Sequence, residues 1–447
     1  MLREMLCMNR TQEETPASSS ESLGWGQTFL VSIQHIFVSN VWLDPIFVAS
    51  SAGLSLTLST NLVNAIFIAS GLVTLIQATK LVRLPIVQGP SAAFDALMIN
   101  AGKTGMLPAA GGSIFVSALL VFGLSVTGLL TKLVKRLTPA ITGTIIFLVG
   151  VSLASFTLSE FLGGSPGTPG FASPKTLLLS VMTAAIVVLL SLFGKGFFHK
   201  FSFLIALVVG DVLAGLTGMI DLSALRSKPL IGLPRLLPYG GFSFNWSIFL
   251  TFFVAYTVAV IEALGVYEAS ASVLNINLDQ KRIRNGIAGE AAGSALSSLI
   301  GGFPTTAFAQ NLGVMKLTGV HSRKPILLTG GLLIVLGFIP KLGAFLSLTP
   351  SPVIGGMFLP AAATLITTGF AILKKSKNND TNNLIIGLSI ILAIAVPTYA
   401  AGFPGSLKTL LSNNILIGAI SAVGLHICLI SIPSLFRKGV HDDQNID

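Results

Sequence analysis

Long apolar stretches with almost no charge recur along nearly the whole chain, and this feature restricts the fold more than any other. Three examples are Ser113–Thr131, Leu177–Phe193 and Leu384–Ala400. With their flanks, such stretches reach the roughly 20 residues that a helix needs to cross a hydrocarbon core about 30 Å thick. Charged residues make up 10% of the 447 positions, whereas a soluble domain has about 25%. The sequence therefore predicts an all-α integral membrane protein.

The spacing of the apolar stretches predicts about fourteen transmembrane helices. They are placed at 26–43, 46–79 (one long helix or two broken pieces, counted as one span), 85–100, 107–130, 138–156, 176–193, 201–219, 245–267, 285–300, 303–318, 325–346, 351–373, 382–400 and 413–433. Cys7 and Cys428 are the two cysteines of the chain. They lie in very different surroundings, so the sequence does not indicate a disulfide framework.

Lysine and arginine are distributed unevenly between the two sides of the membrane. Counting from a cytoplasmic N-terminus, 20 of the 27 basic residues fall in inner segments and 7 in outer ones. Because lysine and arginine are retained on the cytoplasmic side, both termini of this multi-pass protein are predicted to be cytoplasmic, in the plasma membrane. The net charge of +10 then reflects the excess of basic residues on the predicted cytoplasmic side. It predicts a lipid bilayer as partner and no nucleic acid.

Two pairs of similar segments indicate an internal duplication. Gln88–Phe94 is similar to Gly302–Phe308, and Pro139–Gly143 is similar to Pro352–Gly356. The matching prolines are 214 and 213 residues apart. Chance similarity between glycine-rich and alanine-rich segments is the alternative. A repeat of seven helices is odd, so the second copy enters the membrane from the opposite side, as in many secondary transporters.

Four regions follow from the repeat and from composition. The polar residues 1–24 are predicted to form a disordered cytoplasmic tail, and 436–447 a second cytoplasmic tail. Between them, 25–230 is predicted to form the first transmembrane repeat of about seven helices, and 231–435 the second, inverted repeat.

Two of the predicted helices are interrupted at corresponding positions of the repeats. Pro90 and Pro304 each lack a backbone N–H and clash with the preceding turn. Non-helical backbone at membrane depth is tolerated only where it is buried in protein or lines a cavity, and paired broken helices mark substrate sites of transporters near the midplane. The β-prone Thr305 and Thr306 next to Pro304 predict short extended stretches there.

Ionisable side chains inside the predicted spans are candidate functional groups, because such residues are costly in a membrane. Glu262 lies deep within its span and could accept hydrogen bonds from a ligand and bind a proton. Glu290 lies in a small-residue stretch, so proton coupling and structural support both remain open. Asp95 directly follows the first broken stretch. His35 could relay protons or fix a helix through a hydrogen bond.

The segment Gln310–Gly319, Gln-Asn-Leu-Gly-Val-Met-Lys-Leu-Thr-Gly, resembles the signature of the nucleobase–ascorbate transporter family. Its fixed positions here are Gln310, Asn311, Gly313, Thr318 and Gly319. The segment directly follows the second broken stretch, as in that family. The Gln-His pair at 34–35, the Glu at 262 and the Glu twenty residues before the motif are also similar to family features. The resemblance covers about residues 26–433.

The resemblance implies a core domain and a gate domain that each draw helices from both repeats, alternating access by an elevator-like movement, and a homodimer. It implies that Glu262 and Gln310 bind a nucleobase edge. The extended stretches, which include Ala93, Phe94, Phe308 and Ala309, would then supply backbone groups and an aromatic contact. No cofactor is expected beyond a coupling cation, expected to be a proton, although sodium remains open. The protein is expected to be a transporter and not an enzyme.

The residues at the fixed positions of the motif indicate which substrate branch of the family this chain resembles. Gln-Asn with Thr-Gly is similar to the purine (xanthine and uric acid) permeases, whereas uracil-transporting relatives tend to have Glu-Asn with Thr-Arg. Val266 departs from the family, which often has a polar residue one turn after the Glu, so the usual substrates are in doubt. A pyrimidine symporter, or an anion exchanger or channel on the same architecture, remains an alternative. Gly163–Gly167 fits G-x-S-x-G but lies in an external loop, which argues against a catalytic serine.

Overall fold

The computed structural model of the chain describes residues 24–134 and 137–433. The predicted cytoplasmic tails, 1–24 and 436–447, lie outside the described residues except for Gly24. The described residues are mainly helical, with a single two-stranded sheet among them.

Helices and strands are numbered in chain order. The helices are α1 (Trp25–Ser39), α2 (Leu43–Ser51), α3 (Leu56–Thr79), α4 (Asp95–Lys103), α5 (Leu107–Val126), α6 (Leu129–Val134), α7 (Pro139–Phe161), α8 (Pro174–Phe193), α9 (Phe197–Lys200), α10 (Ser202–Leu216), α11 (Trp246–Leu274), α12 (Gln280–Leu299), α13 (Gln310–Thr318), α14 (Lys324–Gly337), α15 (Pro340–Ser347), α16 (Ser351–Leu373), α17 (Asp380–Tyr399), α18 (Gly405–Leu411) and α19 (Asn414–His426). The strands are β1 (Gln88–Pro90) and β2 (Thr305–Ala307).

Long apolar helices dominate the described part of the chain. Nine spans there are long and apolar enough to cross a membrane, or ten if α14 and α15 form one span bent by 82°. The other four predicted spans correspond to the two broken segments, the short helix α10, and α12, which begins with charged residues. The multi-pass architecture agrees with the sequence, and the count of fourteen stays a prediction.

The beginning of the chain differs from the prediction. The expected helices 26–43 and 46–79 are instead α1, α2 and α3. Asn40 adopts a left-handed conformation with φ of 52° and ends α1, which asparagine tolerates better than most residues. Pro45 does not separate two helices, because it lies in the first turn of α2, where its missing N–H has no partner to lose. Asp44 is therefore a helical residue within the first span.

The two strands pair antiparallel where the broken segments meet. Gly89 lies opposite Thr306 in the register. Two further backbone bonds extend the pairing, from Ser91 N to the carbonyl of Pro304 at 2.9 Å and from Phe308 N to the carbonyl of Val87 at 3.0 Å. Each strand thus satisfies backbone groups that the prolines remove from helical bonding, as hydrocarbon surroundings require.

The helices pack into two groups. The strand-bearing bundle contains α1, α3, α4, α5, α11, α12, α13, α14 and α15 around the strand pair. The flanking bundle contains α7, α8, α10, α16, α17 and α19. Helix α2 packs mainly against α3, α4 and α15 and so belongs to the strand-bearing bundle, and it also contacts α7 and α16. Across the same boundary, α4 contacts α7, and α11 contacts α7 and α19.

Small residues bring α7 and α16 into close contact in the flanking bundle. A Cβ added at Gly355 would overlap the backbone nitrogen of Phe161 and lie 2.6 Å from the carbonyl carbon of Glu160. One at Gly369 would lie 2.6 Å from the backbone nitrogen of Phe147. Such backbone approach is typical of membrane helix interfaces that contain small residues.

We expect Gly355→Ala to destabilise the protein by about 1–3 kcal/mol, because the added methyl group meets backbone that cannot move aside. Thermal unfolding of the detergent-solubilised protein measures this. Gly387→Ala is the matched control, since Gly387 lies in α17 with no atom within 4 Å of an added Cβ, so that change should leave stability equal or slightly higher. Equal melting temperatures for both variants would contradict the assigned packing.

Candidate functional site

Two short helices begin directly after the strand pair. Asp95 is the first residue of α4 and Gln310 the first residue of α13, and each helix has nine residues. The N-terminal end of a helix has unpaired N–H groups and a partial positive charge. The two broken segments therefore direct two such ends to the middle of the protein, where they favour electron-rich ligand atoms.

Helix α11 places Glu262 beside this centre. The side chain is half-buried, and the hydroxyl of Ser91 donates to its Oε2 at 3.4 Å. The hydroxyl of Thr306 in β2 donates to the carbonyl of Ala259 at 3.1 Å, one turn before Glu262 on α11. Hydrogen bonds from Ser91, next to β1, and from Thr306 in β2 thus connect both broken segments to α11. They hold Glu262 next to the strand pair.

Five residues predicted to contact a ligand differ in accessibility. Ala309 is exposed, and so is Gln310 next to it. Phe308 is half-buried, and its ring covers Gly89 so closely that a Cβ there would overlap it. Ala93 and Phe94 are fully buried, and the ring of Phe94 packs against two rings of α11, those of Phe252 and Tyr256. In this conformation the accessible residues belong to the second broken segment, whereas Phe94 is packed inside the protein.

Glu290 is held in a hydrogen-bond network between α3, α11 and α12. The hydroxyl of Tyr267 donates to its Oε1 at 2.5 Å. Gln77 Nε2 donates to that hydroxyl oxygen at 3.3 Å and to the carbonyl of Gly286 at 2.6 Å. The contacts are those of a structural group that ties three helices together. A role in proton coupling stays a prediction.

His35 and Asn311 connect the first helix to the signature motif. His35 is 1% exposed, and Asn311 is fully buried. Asn311 Nδ2 donates to the ring Nδ1 of His35 at 2.9 Å and to its backbone carbonyl at 3.2 Å. The bond accounts for the asparagine of the motif as a support for α13. Proton relay by His35 stays a prediction.

The remaining motif residues shape α13. The hydroxyl of Thr318 donates to the carbonyl of Val314 at 2.7 Å and accepts from the backbone N–H of Val320 at 3.3 Å. Gly319 ends the helix with φ of 67°, a left-handed conformation that favours glycine. Gly313 is exposed, with open space where a Cβ would lie.

The structure brings one further carboxylate to the centre that the sequence analysis did not select. Asp44, in the first turn of α2, is half-buried, and its charge interacts with those of Asp95 and Glu262. The signal was an acidic residue inside an apolar stretch, and it was missed because position 44 fell between the predicted helices 26–43 and 46–79. No set of three or more His, Cys, Asp or Glu within residues 24–134 and 137–433 is arranged to hold a metal ion.

Comparison with known proteins decides the family. The sequence model described as Permease family (Xan_ur_permease) matches residues 26–402. The chain belongs to this permease family. It is 30% identical over 410 residues to the uric acid permease PucK of Bacillus subtilis, covering 90% of this chain and 95% of PucK. It is 28% identical over 434 residues to the xanthine permease of the same organism, covering 95% of this chain and 98% of the permease. The resemblance to the purine branch of the nucleobase–ascorbate transporters is confirmed.

A solved structure supports the fold. The transmembrane domain of BicA, a bicarbonate transporter of a cyanobacterium, superposes with a TM-score of 0.61 at 17% identity, covering 89% of this chain and 98% of that domain. The predicted all-helical inverted-repeat transporter fold is confirmed. This permease is thus a multi-pass membrane transporter and not an enzyme.

We expect Asn311→Ala to cost about 1–3 kcal/mol, because it leaves the buried acceptors of His35 without a donor. A double-mutant cycle with His35→Ala, read by thermal unfolding in detergent, measures the link between α1 and α13. The two changes should be non-additive by about 0.5 kcal/mol or more. Simple additivity would mean that the contact contributes nothing to the stability of this permease.

Proposed function

We propose that this permease imports a purine-type nucleobase together with a proton. The observation that carries the proposal is the placement of Glu262, a half-buried carboxylate in the middle of α11, beside the strand pair and the exposed start of α13. The membership in a permease family and the names of the uric acid and xanthine permeases support a nucleobase as substrate.

The chemistry of the site suits a planar ring with several N–H and C=O groups. Gln310 can donate and accept side by side, and a carboxylate accepts at two oxygens. The N-termini of α4 and α13 favour carbonyl oxygens of the ligand. The half-buried ring of Phe308 offers a flat apolar surface, so it is a better candidate for stacking than the fully buried Phe94.

The proton would bind to Glu262 when the site faces outward and would leave with the base on the cytoplasmic side. One positive charge moved through 100 mV supplies roughly 2.3 kcal/mol. At about 1.4 kcal/mol per factor of ten, this corresponds to roughly a fifty-fold accumulation of the base. A channel without a gate would not require a titratable group at this position.

Alternating access would come from movement of the strand-bearing bundle, as the core, against the flanking bundle, as the gate. Helix α2 makes two sets of contacts across this boundary. The rings of Phe47 and Phe358 stack with centroids 3.6 Å apart. Glu160, near the end of α7, accepts hydrogen bonds from the hydroxyls of Ser50 at 2.7 Å and Ser51 at 2.9 Å. The predicted topology puts these contacts on the outer side, so they would keep that side closed.

The proposal includes the membrane in which the permease lies, its topology and its oligomeric state. The excess of basic residues in alternate loops supports a plasma-membrane protein with both termini in the cytoplasm. A homodimer, with lipid around it, follows from the family resemblance.

Two alternative functions differ from the proposed one in their substrate. A uracil or other pyrimidine symporter would use the same groups on a smaller ring. An anion exchanger or channel is suggested by the fold that this permease shares with BicA. Against the anion alternative, a site for simple anions would use helix N-termini or a cation without a buried Glu, whereas here Glu262 lies beside the broken segments and accepts from Ser91.

We expect cells that lack their own carriers and express this permease to accumulate labelled xanthine or urate, and a protonophore to abolish the accumulation. Glu262→Gln should lower uptake at least about tenfold, since the amide cannot release a proton and accepts at a single oxygen. Glu268→Gln is the matched control, because Glu268 lies on the same helix but is exposed, and its uptake should equal that of the wild type.

Guanine, hypoxanthine, adenine and uracil are tested in the same assay. Accumulation of uracil alone would replace the purine assignment. Failure of every base to accumulate, with the protein present in the membrane, would reject the nucleobase proposal and favour the anion alternative.

We expect a disulfide between Phe47→Cys and Phe358→Cys to stop uptake and its reduction to restore uptake, because the bond joins the two bundles. Cys7 and Cys428 are first replaced by serine. Uptake before oxidation, after oxidation and after reduction is the measurement.

The pair Phe147→Cys and Phe370→Cys is the matched control. These rings lie 5.1 Å apart on α7 and α16, both within the flanking bundle, so their disulfide should leave uptake unchanged. If the cross-linked Phe47–Phe358 pair still transports at the wild-type rate, the two bundles do not move apart at this contact.

A further inference from the structure

Three acidic side chains from three different helices converge beside the strand pair. Asp44 lies in the first turn of α2, Asp95 begins α4, and Glu262 lies in the middle of α11. Helix α2 packs against α4, and the short turn before α4 packs against α11. We call these residues the carboxylate trio. Ser91, four residues before Asp95, donates to Glu262 at 3.4 Å, and the like charges of Asp44 and Glu262 act on Asp95.

Asp95 is the least solvated member of the trio. Its exposure is 0%. Within the part of the chain that the structure describes, neither Oδ1 nor Oδ2 has a hydrogen-bond partner. By contrast, Glu262 accepts from Ser91, and the more distant Glu160 accepts from two serines. A fully buried carboxyl group with two unpartnered oxygens is costly unless a cationic partner or a proton neutralises it.

The charges around the trio do not supply that partner. Lys103 lies in the last turn of α4, at the opposite end from Asp95, and Lys341 on α15 is exposed. Glu160 bonds to the far end of α2, and Glu290 on α12 acts on Glu262 with a like charge. Helices α3, α5 and α16 have no charged residue within their bounds. Three carboxylates that share one site without a cation do not all ionise, so at least one carries a proton or a bound cation.

We propose that Asp44, Asp95 and Glu262 form one shared proton-binding site, which carries a second proton with each base in addition to the one assigned to Glu262. The inference rests on the proposed symport and deepens it, since it concerns the coupling ratio of the same site. Each proton forms an O–H bond to a carboxylate when the site faces outward, and the bond breaks on the cytoplasmic side. No other bond changes.

The position of the trio explains why the protons and the base would move together. Ser91, which donates to Glu262, also donates its backbone N–H to Pro304 at the end of the strand pair. Asp95 starts the helix whose N-terminus points to the same centre. Proton occupancy of the trio therefore sets the negative charge next to the carbonyl and N–H groups of a bound ring. Adjacent carboxylates that share protons titrate as one unit, and the unit moves with the strand-bearing bundle.

The test uses the full-length protein reconstituted in liposomes, with labelled xanthine and urate as probes. The membrane potential at which net base flux reverses gives the charge moved per base. Asp44→Asn and Asp95→Asn are compared with the wild type. Asp211→Asn is the matched control, because Asp211 is a partly buried carboxylate of the flanking bundle that accepts from Thr349 at 3.0 Å.

With xanthine in its neutral form, we expect the wild type to move about two charges per base and Asp44→Asn about one. With urate, which is a monoanion at neutral pH, each value should be about one charge lower. With one negative charge removed, the decline of uptake toward alkaline pH should begin about one pH unit lower in Asp44→Asn. Asp95→Asn should behave like Asp44→Asn, Asp44→Glu should restore the wild-type ratio, and Asp211→Asn should match the wild type throughout. Restoration of the ratio by Asp44→Glu would show that the carboxylate, and not folding, accounts for the change in Asp44→Asn. A second control is that each variant reaches the same amount in the membrane as the wild type.

An unchanged charge ratio and pH profile in both Asn variants would overturn the inference and leave the proposed symport intact. Uptake by the wild type that follows a sodium gradient, and loses its sodium dependence in Asp44→Asn, would overturn the proton assignment. Absence of any base uptake by the wild type would reject the proposed function as well.

Discussion

The pairing of Gln88–Pro90 with Thr305–Ala307 is the contact on which the rest of the structure depends. In hydrocarbon, a backbone N–H or C=O without a partner costs several kcal/mol, so neither proline-broken segment is stable there alone. Side chains complete the hydrogen bonding. The hydroxyl of Thr74 accepts from Gln88 N at 2.9 Å, and that of Ser294 accepts from Thr305 N at 3.1 Å. Because the strands satisfy each other, two helices can begin in the middle of the membrane.

The electrostatic properties of the centre follow from this arrangement. The two helix starts have partial positive charge, whereas Glu262 and its acidic neighbours have negative charge, so the centre contains both signs within one small space. A neutral heterocycle with donors and acceptors on adjacent positions suits such surroundings better than a simple anion does. The tight contact between α7 and α16 holds these two helices of the flanking bundle together, and the proposed movement of the strand-bearing bundle would take place against them.

Much of this could be predicted from the sequence because proline acts locally. Pro90 and Pro304 break a helix wherever they occur within one, and the signature after Pro304 places Gln310 at the site. The pairing of the strands could not be read from the offset of 214 residues, since similarity between segments does not show contact. The left-handed Asn40 and the 82° bend between α14 and α15 depend on tertiary packing. The position of Asp44 near Asp95 and Glu262 appears only when three helices are brought together.

The two strands also restrict how the protein can be made. Pro90 and its partner Thr305 are separated by 215 positions along the chain. The first broken segment therefore enters the membrane long before the segment that satisfies its backbone has been synthesised. Until then its polar groups need water, lipid headgroups or the insertion machinery as temporary partners. Contacts at such long sequence separation form late in folding. The candidate site is consequently among the last parts of this permease to assemble, and a chain truncated before β2 would contain α1–α12 and Glu262 but neither Gln310 nor the strand that pairs with β1.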